Sequence, residues 1–390
     1  MKKVIGIFLC MGLLFSMFIA PVFAIVEPSG AERFALTEIL KIAAEKDDLC
    51  KWTEDTQIKD EFVLYDLTDQ PNGYIYTLVT NNKETGYIQI DAIGDTYSLH
   101  SYSFDGTNEV FHMLRANKLI TEPFRALQDS KKQKVYYVGN QGYAIEKNGE
   151  LIDLLSNKAI SQTRTELLNL YEEYIEMKQA ISRTGEIEQG STMVRNYTSL
   201  ALVSMDDFVN LTVVGGHVST VENHCTPTAG TNVIKYFAMC QDIDELWKTN
   251  NISTFKAIYL AMNTNDVQES EQILSGTYWD IFYSDGYSGL LDYIDERGVN
   301  VVDSDRYALG AISGISIETI KEKIRWHYPV MLSVRSFPGS AGGDGYHSVV
   351  AFGYKNDRLI LSNGWDSSYH YYTYSNLNVQ EYYYVGFGHE

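Results

Sequence analysis

The sequence is short of cysteine, proline and positive charge. Its 390 residues include four cysteines, seven prolines, and 31 Lys and Arg against 51 Asp and Glu. Cys10 lies near the start, which leaves Cys50, Cys225 and Cys240. Three thiols cannot make a fully paired disulfide framework, so at least one stays free unless chains are cross-linked. The formal charge of −20 disfavours nucleic acid, because an acidic surface repels phosphate backbones. Past residue 24 no run reaches the roughly 18 apolar residues that a membrane helix needs. No CxxC pair and no HExxH occurs, so no metal site is expected and no cofactor is called for.

The apolar run that is present sits at the very start. Lys2 and Lys3 precede "VIGIFLCMGLLFSMFIA", and "VFA" ends at Ala24. A basic start, an apolar stretch and small residues at the −3 and −1 positions predict a secretory signal peptide over residues 1–24. An uncleaved anchor is the alternative. Cleavage removes Lys2 and Lys3 and takes the charge from −20 to −22. The mature protein is expected outside the cell, free of the membrane.

The rest divides in two. With 45% hydrophobic residues there is ample apolar material for two cores at roughly 100–200 residues per domain. In residues 25–190, "AERFALTEILKIAAEKDD" places Phe34, Ile39, Leu40, Ile42 and Ala43 at helical spacing. Short alternating runs follow ("FVLYDL", "GYIYTLVTN", "GYIQIDA", "TYSLHSYSF") and predict antiparallel hairpins. Another hairpin is expected around Asn148 and Gly149, then an amphipathic helix in "TELLNLYEEYIEMKQAISR". This α+β half carries no constellation of reactive residues. Ser182–Ser199 is polar and aperiodic, and predicts a linker open to proteolytic nicking.

In residues 191–390, helices come first and strands last. "IETIKEKIRWHY" ends at Pro329, and "VMLSVRSF", "YHSVVAFGY", "RLILSNGW" and "EYYYVGFGH" predict an antiparallel sheet. A segregated α+β domain is expected. The tyrosine-rich "SYHYYTYSN" and "EYYYVGF" read as packed strand faces, with a sugar or peptide groove as the alternative. "GSAGGDGY" reads as a loop bordering a cleft.

Cys225 opens "CTPTAGTNVIKYF". Thr226 is expected to cap a helix and Pro227 to begin it. Ala229, Val233, Ile234 and Phe237 would form its buried face. A cysteine at a helix N-terminus gains from the unpaired N–H groups and the macrodipole, which favour thiolate. An inert capping-region cysteine is the alternative. A base is then required. Of the eight histidines, His347 begins a β run directly after a glycine-rich loop. Asn363 follows sixteen residues later (363 − 347), one hairpin on. An asparagine there can fix the imidazole tautomer and leave the other nitrogen to the thiol.

This order resembles the papain-like cysteine peptidases. His347 lies 122 residues after Cys225 (347 − 225), somewhat short of the roughly 130–150 in papain itself. The likeness is strongest to the streptopain type, carried by Cys225, Thr228, Ala229, Lys235 and Tyr236 and by His347, Gly353, Asn363 and Trp365. The C-x-P-T-A form is also similar to the bacteriocin-leader-peptidase-like, C39-like domains, in which an Asp follows the His strand, here Asp366. The resemblance implies a papain-like α+β catalytic domain over residues 191–390. It implies a Cys225–His347–Asn363 triad, with Asp366 as the other candidate third member. Residues 25–190 are similar in outline to the streptopain proregion, with "NKETGYIQIDA" the suggestive piece, and would inhibit the catalytic domain in cis. The family's oxyanion glutamine would fall at Ser219, so the donor passes to Ser219, Asn223 or the backbone. The expected activity is hydrolysis of a peptide or protein substrate by an exported zymogen. A binding or adhesion protein on a degenerate peptidase fold is the alternative, as is an amidase or acyltransferase with the same triad.

Overall fold

The computed structural model describes residues 29–45, 47–93, 96–120, 134–137, 142–155, 157, 159–169, 171–172, 190–208, 211, 224–264, 285–308, 315–335, 346–377 and 379–387. The expected signal peptide and the "GSAGGD" loop lie outside these residues, as does most of the helix expected after residue 164. Among the described residues no helix is long and apolar enough to cross a membrane.

Helix α1 (Gly30–Ala44) starts where Ser29 accepts a hydrogen bond from the Glu32 N–H. Its buried stripe is Ala31, Ala35, Ile39 and Ile42. Leu40, expected on that stripe, is 52% exposed. Leu40 lies about 100° round the helix from Ile39, beyond the edge of that stripe. Strands β1 (Gln57–Tyr65), β2 (Pro71–Thr80), β3 (Lys83–Ile93) and β4 (Thr96–Ser103) form the expected antiparallel meander. Helix α2 (Glu109–Ala116) follows, capped by the Asn108 side chain. Strands β5 (Val135–Tyr137), β6 (Tyr143–Lys147) and β7 (Glu150–Asp153) extend the sheet beyond β1. The β6–β7 turn uses Asn148 and Gly149, both at positive φ, as an Asn-Gly hairpin requires.

The segment expected to be a linker is built into the fold from residue 190 on. Strand β8 (Ser191–Met193) pairs with a strand over Tyr346–Lys355 (β11), and the Val194 N–H donates to the Phe352 carbonyl. Val194 is fully buried. An apolar anchor two residues beyond a polar stretch is too brief to show as periodicity.

Helices α3 (Cys225–Cys240), α4 (Asn251–Ala261) and α5 (Asp285–Glu296) come next, then β9 (Asp303–Ala308) and α6 (Ile317–Arg325). The chain ends in β10 (Val330–Arg335), β11 (Tyr346–Lys355), β12 (Arg358–Ser362), β13 (Tyr369–Thr373) and β14 (Val379–Gly386). The overall class is α+β. The two halves share one sheet, in the order β7-β6-β5-β1-β2-β3-β4-β13-β12-β11-β10-β14-β9. The junction is β13 against β4, where Tyr371 faces Tyr102 in register and their rings stack at 4.5 Å. Tyr369–Thr373 of "SYHYYTYSN" is therefore a packed strand in the interior of the sheet, and Tyr374–Asn376 turns out of it. One apolar cluster joins α1, β2, β3 and β4 to Ile360 and Tyr371, so no solvent layer separates the halves.

Candidate active site

Helix α3 is buried almost all round over its first turns, from Pro227 to Ile234. The sheet covers one side, with α4 and α5 against the other. Gly230 allows this, since a Cβ there would lie 2.8 Å from Met262 Cε. Asn232 holds the incoming chain, its Oδ1 accepting from Val203 N–H (2.9 Å) and its Nδ2 donating to Val203 O (3.0 Å).

The helix begins earlier than its sequence suggests. His224 is the N-cap, Cys225 the first helical residue and Pro227 the third. The first four N–H groups of a helix lack intrahelical partners, so proline is tolerated there. Thr226 does not cap. Its Oγ1 lies 2.7 Å from Ser348 Oγ on β11, which ties the head of α3 to the strand that carries His347.

Cys225 and His347 meet at this contact. The Cys225 side chain is partly exposed, although protein atoms crowd its sulfur. Burial pushes the thiol up, but the hydrogen bond and charge of His347, a backbone hydrogen bond at Ser348 and the Thr226 hydroxyl outweigh it. Together they bring the thiol down to about 7. The His347 ring is buried. Burial pushes its imidazole down, while Cys225 and the Asn363 carbonyl lift it above its ordinary value. Its Nε2 is 2.5 Å from the Asn363 carbonyl oxygen, which makes Nε2 the donor there and leaves Nδ1 to the thiol.

The structure brings Asn363 to His347 through its backbone. The Asn363 side chain goes elsewhere, with Oδ1 accepting from Trp365 N–H (3.1 Å) and Nδ2 donating to Tyr372 Oη at 3.5 Å. Trp365 lies over the imidazole, with ring centroids 5.1 Å apart and planes 19° apart. Asp366 does not reach His347. Its Oδ1 is 2.9 Å from His370 Nε2, its Oδ2 accepts from Thr107 N–H at 2.9 Å, and His112 Nε2 lies 3.6 Å away. Burial pushes its carboxyl up, yet His370, His112 and Thr107 together hold it well below the usual range. Ser219 and Asn223 lie outside the described residues.

Sequence reasoning missed Ser348, Tyr372 and the whole contribution of α2. Ser348 adjoins His347, but nothing local marks its hydroxyl as a partner of Thr226. Cys240 is buried at the other end of α3, and Cys50 is half-buried. Both thiols are free and pushed up by burial. A cavity of about 500 Å³ near Cys240, lined in part by Arg195, Asp242 and His327, is a helix length from Cys225, roughly 24 Å for sixteen residues. It is not part of this site.

A cysteine at a helix head, a buried imidazole with one nitrogen fixed, and an aromatic ring stacked on that imidazole together form a thiol–imidazole pair. Residues 209–390 match the model of the Peptidase_C39 like family. The chain is also similar to a solved structure described as a putative C39-like peptidase from Bacillus anthracis. That likeness has 12% identity and a TM-score of 0.29, covering 48% of this chain and 98% of that one. A second similar structure is active wild-type interpain A cysteine protease from Prevotella intermedia, at 14% identity and a TM-score of 0.32. It covers 50% of this chain and 94% of that one. No curated protein matches the chain.

Proposed function

We propose that this chain is a cysteine peptidase acting on peptide or protein substrates through Cys225 and His347. The observation that carries the reading is a thiol brought down to about 7, at the head of a buried helix and facing an imidazole whose Nε2 is already committed. The Cys225 sulfur attacks the scissile carbonyl carbon, and negative charge builds on the carbonyl oxygen. The first N–H groups of α3, which have no intrahelical partner, would receive that charge. As the C–N bond breaks, His347 gives its proton to the leaving amine and a thioester remains. Water then attacks the thioester, with His347 taking its proton; the C–S bond breaks, the acid leaves and the Cys225 thiolate is restored beside the protonated His347. Asn363 orients His347 by accepting from Nε2 with its carbonyl.

Export and zymogen character belong to the same proposal. Residues 1–24 carry the signal-peptide pattern, and residues 25–190 would be the proregion. The second reading is supported by contact, because Thr107 and His112 of the N-terminal half meet Asp366 and Trp365 beside His347. Cys225→Ala is expected to abolish peptide hydrolysis and labelling by a thiol alkylator while leaving the circular dichroism spectrum unchanged. An Ala variant that hydrolyses as fast as wild type would sink the reading. N-terminal sequencing of the secreted product tests the signal and proregion boundaries.

A further inference from the structure

Glu109 is the first residue of α2 in the N-terminal half, and it is 1% exposed. Both of its carboxyl oxygens accept. Oε2 takes the Tyr372 hydroxyl at 2.8 Å and Oε1 takes the Tyr143 hydroxyl at 3.2 Å. A protonated carboxyl would have to donate through one oxygen, so this arrangement suits the ionised form. Its position at the head of α2 suits it too, since the helix N-terminus favours an anion. Among the described residues no Lys, Arg or His nitrogen pairs with it. A buried charge is costly unless something answers it.

What answers it lies across the boundary between the halves. Tyr372 Oη bonds Glu109 and also receives Asn363 Nδ2, and the Asn363 carbonyl receives His347 Nε2. One turn along α2, His112 stacks on Trp365 at 6.2 Å, and Trp365 stacks on His347. The N-terminal half thus reaches the imidazole by a hydrogen-bonded path and by a stack of rings. We propose that in the uncleaved chain Glu109, supplied by the N-terminal half, is a positioning residue that stabilises the protonated imidazole of His347 and so the thiolate of Cys225. This half then keeps the thiol reactive while it is in place and would inhibit only by blocking substrate. This rests on the peptidase reading above. Burial lowers the His347 imidazole, Cys225 and the Asn363 carbonyl raise it, and the charge of Glu109 adds a smaller push in the same upward direction.

Other titratable groups face the same region and bear on any pH dependence. Tyr87 on β3, Tyr143 on β6 and Tyr372 on β13 surround Glu109, and all three phenols are driven well above their ordinary value by burial first and by Glu109 next. His112 on α2 and His370 on β13 face Asp366. Cys225 on α3 faces His347.

The test is the rate of iodoacetamide alkylation of Cys225 against pH in the full chain, read by mass spectrometry. Glu109→Gln keeps the shape and removes the charge. It should move the alkylation midpoint to higher pH and slow alkylation at pH 7 by roughly three- to tenfold. A profile superimposable on a wild-type midpoint near 7 overturns this proposal alone. A wild-type midpoint at an ordinary thiol value overturns both it and the peptidase reading. Tyr372→Phe, which cuts the path from Glu109 to Asn363, gives a second arm if Glu109→Gln does not fold. It should shift the midpoint the same way, and an unchanged profile again overturns the proposal.

Discussion

A thiol that ionises near neutrality can be measured without knowing any substrate. Enclosure alone would push Cys225 above 9.0, and His347 first, with Ser348 and Thr226, more than reverses it, to about 7. The folded surroundings therefore favour the thiolate, whose population grows as pH rises through about 7. Alkylation should climb across that window, some two units below an ordinary thiol. His347→Ala removes both the hydrogen bond and the charge, so the midpoint should return upward and alkylation at pH 7 fall by roughly tenfold or more. An alkylation series over pH with mass-spectrometric readout checks both. Cys225 and His347 were legible in the sequence, because a helix head and a strand start are local patterns. The carbonyl that orients His347 was not, since any residue at position 363 carries one.

At the scale of elements, close approach and buried charge decide the packing. Gly289 on α5 lies so near α4 that a Cβ would sit 2.3 Å from the Ala261 carbonyl oxygen. Gly289→Ala must push these helices apart, and the expected cost is about 2 kcal/mol by urea denaturation. Asp366 joins elements of the two halves. Its folded carboxyl is held well below 3.8, so its contribution is complete above that value and is lost as pH falls below it. Asp366→Asn should cost roughly 3 kcal/mol at pH 7, and its difference from wild type should shrink below about pH 4. Denaturation at pH 7 and pH 3 tests this, and an equal difference at both would refute the assignment.

The whole molecule is built on one sheet, and that constrains how it comes apart. Strand β13 pairs with β4, and Arg358 on β12 donates to Tyr102 Oη (3.1 Å) and to Glu45 (3.2 Å). Tyr102 and Tyr371 are both fully buried at that junction. Nicking within 182–189 should therefore leave the halves associated, co-eluting in size exclusion at neutral pH. Tyr102→Ala should cost about 3–5 kcal/mol and loosen that association. Separation of the nicked wild-type halves without denaturant would contradict the shared core.

Sequence alone determined what depends on near neighbours along the chain. The α+β class follows from apolar periodicity, and the helix behind Cys225 and the strand at His347 follow from residue type and spacing. Even there the start of α3 was misjudged, because proline suits the third position as well as the first. Only the tertiary structure decided which edges meet. Nothing near Tyr102 or Tyr371 encodes their pairing across 269 residues (371 − 102), and nothing in "NEVFHMLRA" marks Glu109 and His112 as neighbours of the site. Long-range strand pairing is set by the fit of whole faces, and the surroundings of a buried charge are set by every element packed on it.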